Sequence, residues 1–372
     1  MSTKSTLHTP ICDMFGIDYP IFSAGMGGIV SPSGPELAAA VSEAGGLGMI
    51  GGAFVPPEEL RKWVLQVREM TDKPFGVDTL IPFSVTKGNL ENPIKLDVSL
   101  PAEHEEFVER FADKYDLGDL PEADIPIFDP VFIKEQLEAV LDMKVPVYVA
   151  GIGDPGYLIE RTKELDLDMK VGVVVGAVRH AYKSLNSGVD FIVAQGHDGG
   201  GHNAIVGTMA LIPQVVDAVE GKIPVLGAGS IMDGRQMVAA LALGAQGVWC
   251  GSAFLATPEA RITRGQKEML IRTKETGTGL SAYYSGKRAR VIKGLFLEEA
   301  EQSGLPVLPM HQQLTMSDRI LRAADAQGRV DVNPGVAGQG VGMIREIRPA
   351  ADVLHAIAKH AAEILERGVL NN

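Results

Sequence analysis

One recurring order restricts this chain more than any other feature. A short apolar run is followed by a polar or glycine-bearing turn, then by a segment of helical period. The runs are Tyr19–Ala24, Leu47–Ile50, Phe75–Leu80, Val145–Ala150, Lys170–Val175, Val189–Ala194, Ile223–Gly227 and Gln246–Cys250. Helical patterns separate them over Pro35–Ala44, Pro56–Met70, Val131–Leu141, Pro155–Glu164, Val178–Ser187, Ala210–Val219 and Asp233–Leu243. Short apolar, β-branched runs read as buried strands, and strand–helix alternation predicts a parallel sheet with right-handed crossovers. Eight repeats over roughly 250 residues predict an α/β fold of the closed (β/α)₈ type, a TIM barrel. An open doubly wound sheet is the competing architecture. Against it, no G-x-G-x-x-G opens a helix near the start with an acid about 20 residues on.

Two stretches break the order. Residues 83–130 are acidic and proline-containing, with a helical patch at Glu103–Lys114, and read as an insertion after the third strand. Past Pro258 the alternation stops. Residues 259–372 are charged, helical in pattern and interrupted by Gly277-Thr278-Gly279, Ser285-Gly286-Lys287 and Gly335–Gly340. The expected division is a barrel over 1–258 and a smaller helical domain over 259–372 that covers the barrel mouth. A last amphipathic helix, Ala350–Glu366, is expected to pack within the fold.

Composition narrows the class. The chain has 372 residues, 45% of them hydrophobic, enough for a sizeable core. A net charge of −13 argues against nucleic acid or an anionic membrane as partner. Cys12 and Cys250 are far apart and lack a CxxC pair, which argues against a disulfide framework or structural zinc. Cys250 lies in an apolar run and reads as a packing thiol. Met1–Pro10 is polar, unlike a signal peptide, and no stretch reaches the length of a membrane span. A cytoplasmic enzyme, possible as a homodimer, is expected.

The chemistry concentrates where strands end. In a barrel, the loops at the C-terminal ends of the strands build the site, and a phosphate commonly sits after strands seven and eight. Those loops contain Gly229-Ser230 and Gly251-Ser252. Their backbone N–H groups, one set opening a helix, attract an anion without lysine or arginine. The first loop, Ala24-Gly25-Met26, offers another close-approach backbone, with Met26 placed to pack on a flat ring. Asp78 is the one carboxylate in the third strand's run, and ligand contact would justify its burial. Gln195 ends the sixth strand with a donor and an acceptor.

After Gln195 comes Gly196-His197-Asp198-Gly199-Gly200-Gly201-His202. A histidine at such a lip can exchange a proton near neutral pH. The glycines at 200 and 201 would let His202 swing over a ligand, so His202 is the expected acid/base and His197 a secondary candidate. Asp198 could orient a histidine. No Ser-His-Asp order, metal-spaced cluster or arranged carboxylate pair stands out. Without a nucleophile of its own, the site points to cofactor chemistry, with the protein supplying position and proton transfer.

These motifs resemble the nitronate monooxygenase (2-nitropropane dioxygenase-like) family. The residues that carry the resemblance are Gly25-Met26-Gly27, Ala194-Gln195-Gly196 with Gly200-Gly201-His202, Gly227-Ala228-Gly229, and Ala242–Val248 followed by Gly251-Ser252. A weaker echo lies at Gly338-Gln339-Gly340. The resemblance implies an FMN-dependent barrel with the phosphate at Gly229-Ser230 and Gly251-Ser252, and the ring near Ala24-Gly25-Met26, Asp78 and Gly200. It implies that His202 takes an α-proton from a nitroalkane or stabilises the anionic substrate. O₂ would reoxidise the flavin, giving a carbonyl compound and nitrite. The chain carries Asp78 where family members often have Asn, and Asp198-Gly199 where they often have Glu-Ala. Competing activities are NAD(P)H-dependent flavin reduction acting on an enoyl thioester or quinone, and acyl-CoA desaturation, in which Lys287, Arg288 and Arg290 would meet phosphates. A non-catalytic FMN or phosphosugar sensor is the remaining alternative.

Overall fold

The computed structural model describes residues 6–81, 96–123 and 129–368. The positions 83–95 and 124–128 of the expected insertion lie outside the described residues. The barrel strands are β1 (Ile21–Ser23), β2 (Gly48–Gly51), β3 (Phe75–Leu80), β4 (Val147–Ile152), β5 (Lys170–Val175), β6 (Phe191–Gln195), β8 (Val225–Ala228) and β9 (Gly247–Cys250). A short strand, β7 (Gly201–His202), lies between β6 and β8 in sequence but outside the barrel. The eight-stranded sheet runs β1-β9-β8-β6-β5-β4-β3-β2 with parallel pairings, and a parallel bridge between Phe22 and Leu47 closes it into a ring. The fold is a (β/α)₈ barrel.

The period of two divides the strand side chains between two layers. Phe22, Met49, Val149, Phe191, Val193, Leu226 and Trp249 fill the barrel interior. Their neighbours Ile50, Tyr148, Ile192, Ala194 and Val248 face the surrounding helices. Helix Pro10–Phe15 contributes Ile11, Cys12 and Phe15 to the interior layer. Phe15 stands edge-on to Phe22 and Phe191, each at 5.2 Å between ring centres. That leaves the opposite end, where the strands finish, for a site.

A second core lies apart from the barrel. Phe107, Val108 and Phe111 of helix Ala102–Tyr115 pack against Val291, Phe296, Met316 and Ile320 from the C-terminal third of the chain. Arg319 and Glu105 add an ion pair at 2.5 Å. The insertion and the C-terminal segment therefore share one apolar interior.

The helical reading of 259–372 requires a correction. β10 (Thr278–Ser281) and β11 (Ala289–Ile292) form an antiparallel pair, and β11 continues onto β7. These strands are short and mixed in polarity, so their stability comes from pairing with a distant segment, which local pattern does not register. The final helix, Ala350–Arg367, packs by its apolar stripe on barrel helices Gly234–Ala242 and Pro35–Glu43. Among the described residues no helix is long and apolar enough to cross a membrane.

Candidate active site

Every site residue expected from sequence lines one cleft at the strand ends: Ala24, Gly25, Met26, Asp78, Gln195, Gly200, Gly201, His202, Gly229, Ser230, Gly251 and Ser252. No lysine or arginine lines it among the described residues.

The turn after β1 is tied down by buried Ser33, a residue that sequence reasoning missed. Ser33 Oγ donates to the Ala24 carbonyl at 2.9 Å and accepts from the Met26 N–H at 3.1 Å. Gly25 lies directly on Asp78, so a Cβ at position 25 would stand 2.2 Å from the aspartate Cβ. Only glycine allows that approach. Asp78 itself is buried on β3. Burial pushes its carboxyl well above the usual carboxylate range, with the Gly151 N–H acting in the opposite direction.

The turn after β8 carries a backbone outlier. Gly229 has φ 118° and Ser230 has φ 54°. A left-handed serine is uncommon and costs about 1 kcal/mol, so tertiary contacts must hold it. They do: Ser230 Oγ donates to the Asp198 carbonyl at 2.6 Å and accepts from the Gly340 N–H at 2.9 Å. Ser252 Oγ likewise accepts from the Gly338 N–H at 2.8 Å. The segment Gly338–Gly340 thus braces both serine-bearing turns without lining the cleft itself. Its glycine-rich composition was the signal for it in the sequence.

The loop after β6 is fixed from several sides. Gln195 Nε2 donates to the His202 carbonyl at 3.1 Å. Asp198 accepts from the Thr208 N–H at 2.8 Å and so caps helix Thr208–Val219. Partial burial of Asp198 opposes ionisation, but the Thr208 hydrogen bonds together with the His197 and Arg290 charges hold the carboxyl below its ordinary range. The His197 carbonyl accepts from Arg290 Nε at 3.0 Å and from Asn203 Nδ2 at 3.2 Å. His197 and Asp198 do not line the cleft and instead hold the loop in shape. Arg290 is buried in the same role, while Lys287 and Arg288 line a second cleft that adjoins the first at Gln195 and His202.

His202 does not swing. It is paired with Ala289 in the small sheet, and its Nε2 lies 2.7 Å from Ser285 Oγ. Gly201, at φ 72°, supplies the turn into that strand. Burial, followed by the nearby Lys287 charge, pushes the imidazole down to about 4, so it is neutral at neutral pH. Ser285 is fully buried and was visible in sequence only as part of a glycine-bearing break. Cys250 is buried at the end of β9 with its thiol pushed up to about 12, which leaves it a packing group.

The nitronate monooxygenase family model matches residues 8–360. The chain belongs to the nitronate monooxygenase family. A probable nitronate monooxygenase of Staphylococcus aureus is 32% identical over 96% of this chain and 98% of its own length. Among solved structures, the nitroalkane oxidase of Streptomyces ansochromogenes is similar at TM-score 0.78 and 29% identity, covering 95% of this chain and 98% of that one. FabK from Thermotoga maritima follows the chain at TM-score 0.74 and 30% identity, covering 97% of this chain and 98% of that one. As a family member the chain is an oxidoreductase that acts on a small molecule.

Proposed function

We propose that the first cleft holds FMN and that the protein oxidises alkyl nitronates with O₂ to a carbonyl compound and nitrite. The residues present suit the cofactor. A phosphate needs donors, and the turns at Gly229-Ser230 and Gly251-Ser252 offer backbone N–H groups and the Ser252 hydroxyl without a cation. Asp78 is a buried acceptor beside the first turn, suited to a ring N–H. Bound there, FMN supplies the oxidation of the nitronate and the transfer of electrons to O₂.

The observation that carries the choice of substrate is the fixed, neutral His202. Ser285 Oγ donates to the Lys287 carbonyl at 3.2 Å, so at 2.7 Å it accepts from His202 Nε2–H. The neutral ring then carries its proton on Nε2 and leaves Nδ1 as a lone pair. An imidazole that titrates at about 4 is a weak base for removing an α-proton from a neutral nitroalkane. A nitronate has already lost that proton and asks no base of the ring. The C-terminal third, with helix Ala102–Tyr115, serves as a lid that keeps water from the cleft.

Anaerobic mixing separates the possibilities. Propyl-2-nitronate should bleach the flavin, and 2-nitropropane should do so far more slowly. A flavin that stays oxidised with the nitronate but is bleached by NADH or NADPH would replace this reading with a pyridine-nucleotide reductase.

A further inference from the structure

The second cleft shares Ile152, Val174, Gln195 and His202 with the first. Its own lining is cationic. Lys183 comes from helix Val178–Ser187, and Lys287 and Arg288 from the β10–β11 connection, while burial and the Arg179 and Lys183 charges hold His180 of the same helix below its ordinary range, so it adds no charge at neutral pH. Asp154 is the one carboxylate among the lining residues, and it stands 3.3 Å from Lys183 Nζ. The helix adds the same sign, because its N-terminus has no side-chain cap and no acid in the first turn. A surplus of positive charge at one place is out of keeping with a chain of net charge −13.

We propose that the second cleft binds an organic diphosphate whose stem reaches the wall shared with His202. Several converging cations suit a multiply charged group better than a single carboxylate. The apolar Ile152 and Val174 between them and the first cleft suit an organic stem and would leave an inorganic ion without contacts. Pyridine nucleotides and coenzyme A thioesters both present this chemistry. The inference stands whichever substrate the first cleft oxidises.

The test is calorimetric titration of the flavin-loaded protein with ADP and with adenosine. ADP should bind at least about tenfold more tightly than adenosine, and its affinity should fall as salt is raised. The double substitution Lys183→Glu with Arg288→Glu, both at exposed positions, should weaken ADP by about tenfold or more. Lys222→Glu, far along the barrel and paired with Glu220, should leave it within about twofold. Equal binding of ADP and adenosine, or an unchanged affinity in the double variant, overturns the proposal. Displacement of ADP by NADH would assign a pyridine nucleotide, and displacement by coenzyme A a thioester. Displacement by neither would overturn the site as a co-substrate subsite.

Discussion

The two clefts meet at His202, yet their linings have little in common. The first has no lysine or arginine and is shaped by glycines, main-chain groups and two serines. The second is lined by Lys183, Lys287 and Arg288 on flexible stems. Fixed backbone dipoles inside a low-dielectric site need no rearrangement to meet a charge, and salt screens them little. Lysine and arginine at a rim hold a ligand loosely and let it exchange. The difference is what a retained cofactor beside a departing co-substrate would require.

The largest expected effect tests the backbone-built cleft. At Gly229 a Cβ would stand 2.2 Å from Thr208 Oγ1, at a φ of 118°. Gly229→Asp adds a carboxylate beside the phosphate position and should weaken FMN on the order of 100-fold or more, read by fluorescence titration. An unchanged dissociation constant would remove the phosphate from that turn.

The next effect falls on the shared wall. His202→Ala should keep FMN bound but lower kcat with a nitronate by about tenfold, the cost of loosening one wall against which the substrate is positioned. Stopped-flow bleaching measures it. The imidazole also gives the fold a pH dependence. Its folded value of about 4 lies below the ordinary 6.5, so its contribution is present above 6.5 and is lost as pH falls towards 4. Thermal melts across that window should show less acid sensitivity in His202→Asn than in the parent.

Asp78→Asn should have a smaller effect, of opposite sign on stability. The raised carboxyl favours the folded state below the ordinary aspartate range and opposes it as pH rises. Removing that buried acid should raise the apoprotein Tm at neutral pH by a few degrees, about 2–4 °C, while FMN affinity changes less than about tenfold. A lower Tm would mean that Asp78 has a partner that stabilises its charge. Smallest of all, raising salt from 50 to 500 mM should weaken ADP several-fold at the second cleft and leave FMN retention unmoved. A parallel loss of both would erase the contrast between the clefts.

Much of this arrangement was legible in the sequence. Apolar strand runs marked the barrel because parallel strands are buried on both faces. The glycines at 25, 200 and 229 marked places where the main chain approaches another segment too closely for a side chain. The strand limits moved by a residue or two, as where Pro146 precedes β4 at Val147. What escaped was non-local. The β10–β11 pair is held by β7, and the immobility of His202 follows from Ser285 and Ala289, more than 80 positions away. The joint core of helix Ala102–Tyr115 with Phe296 and Ile320 left no trace in either segment alone, since each reads only as an amphipathic helix in search of a surface.

That joint core has a consequence for biogenesis. Lys114 and Glu299, which pair across it, are 185 positions apart. At ribosomal speeds of about 5–20 residues per second, Phe107 and Phe111 would await their partners for roughly 10–40 s after leaving the tunnel. The nascent chain would expose this greasy helix throughout that interval, which makes it the segment where a trigger-type chaperone would be expected to dwell and where aggregation during overexpression would begin.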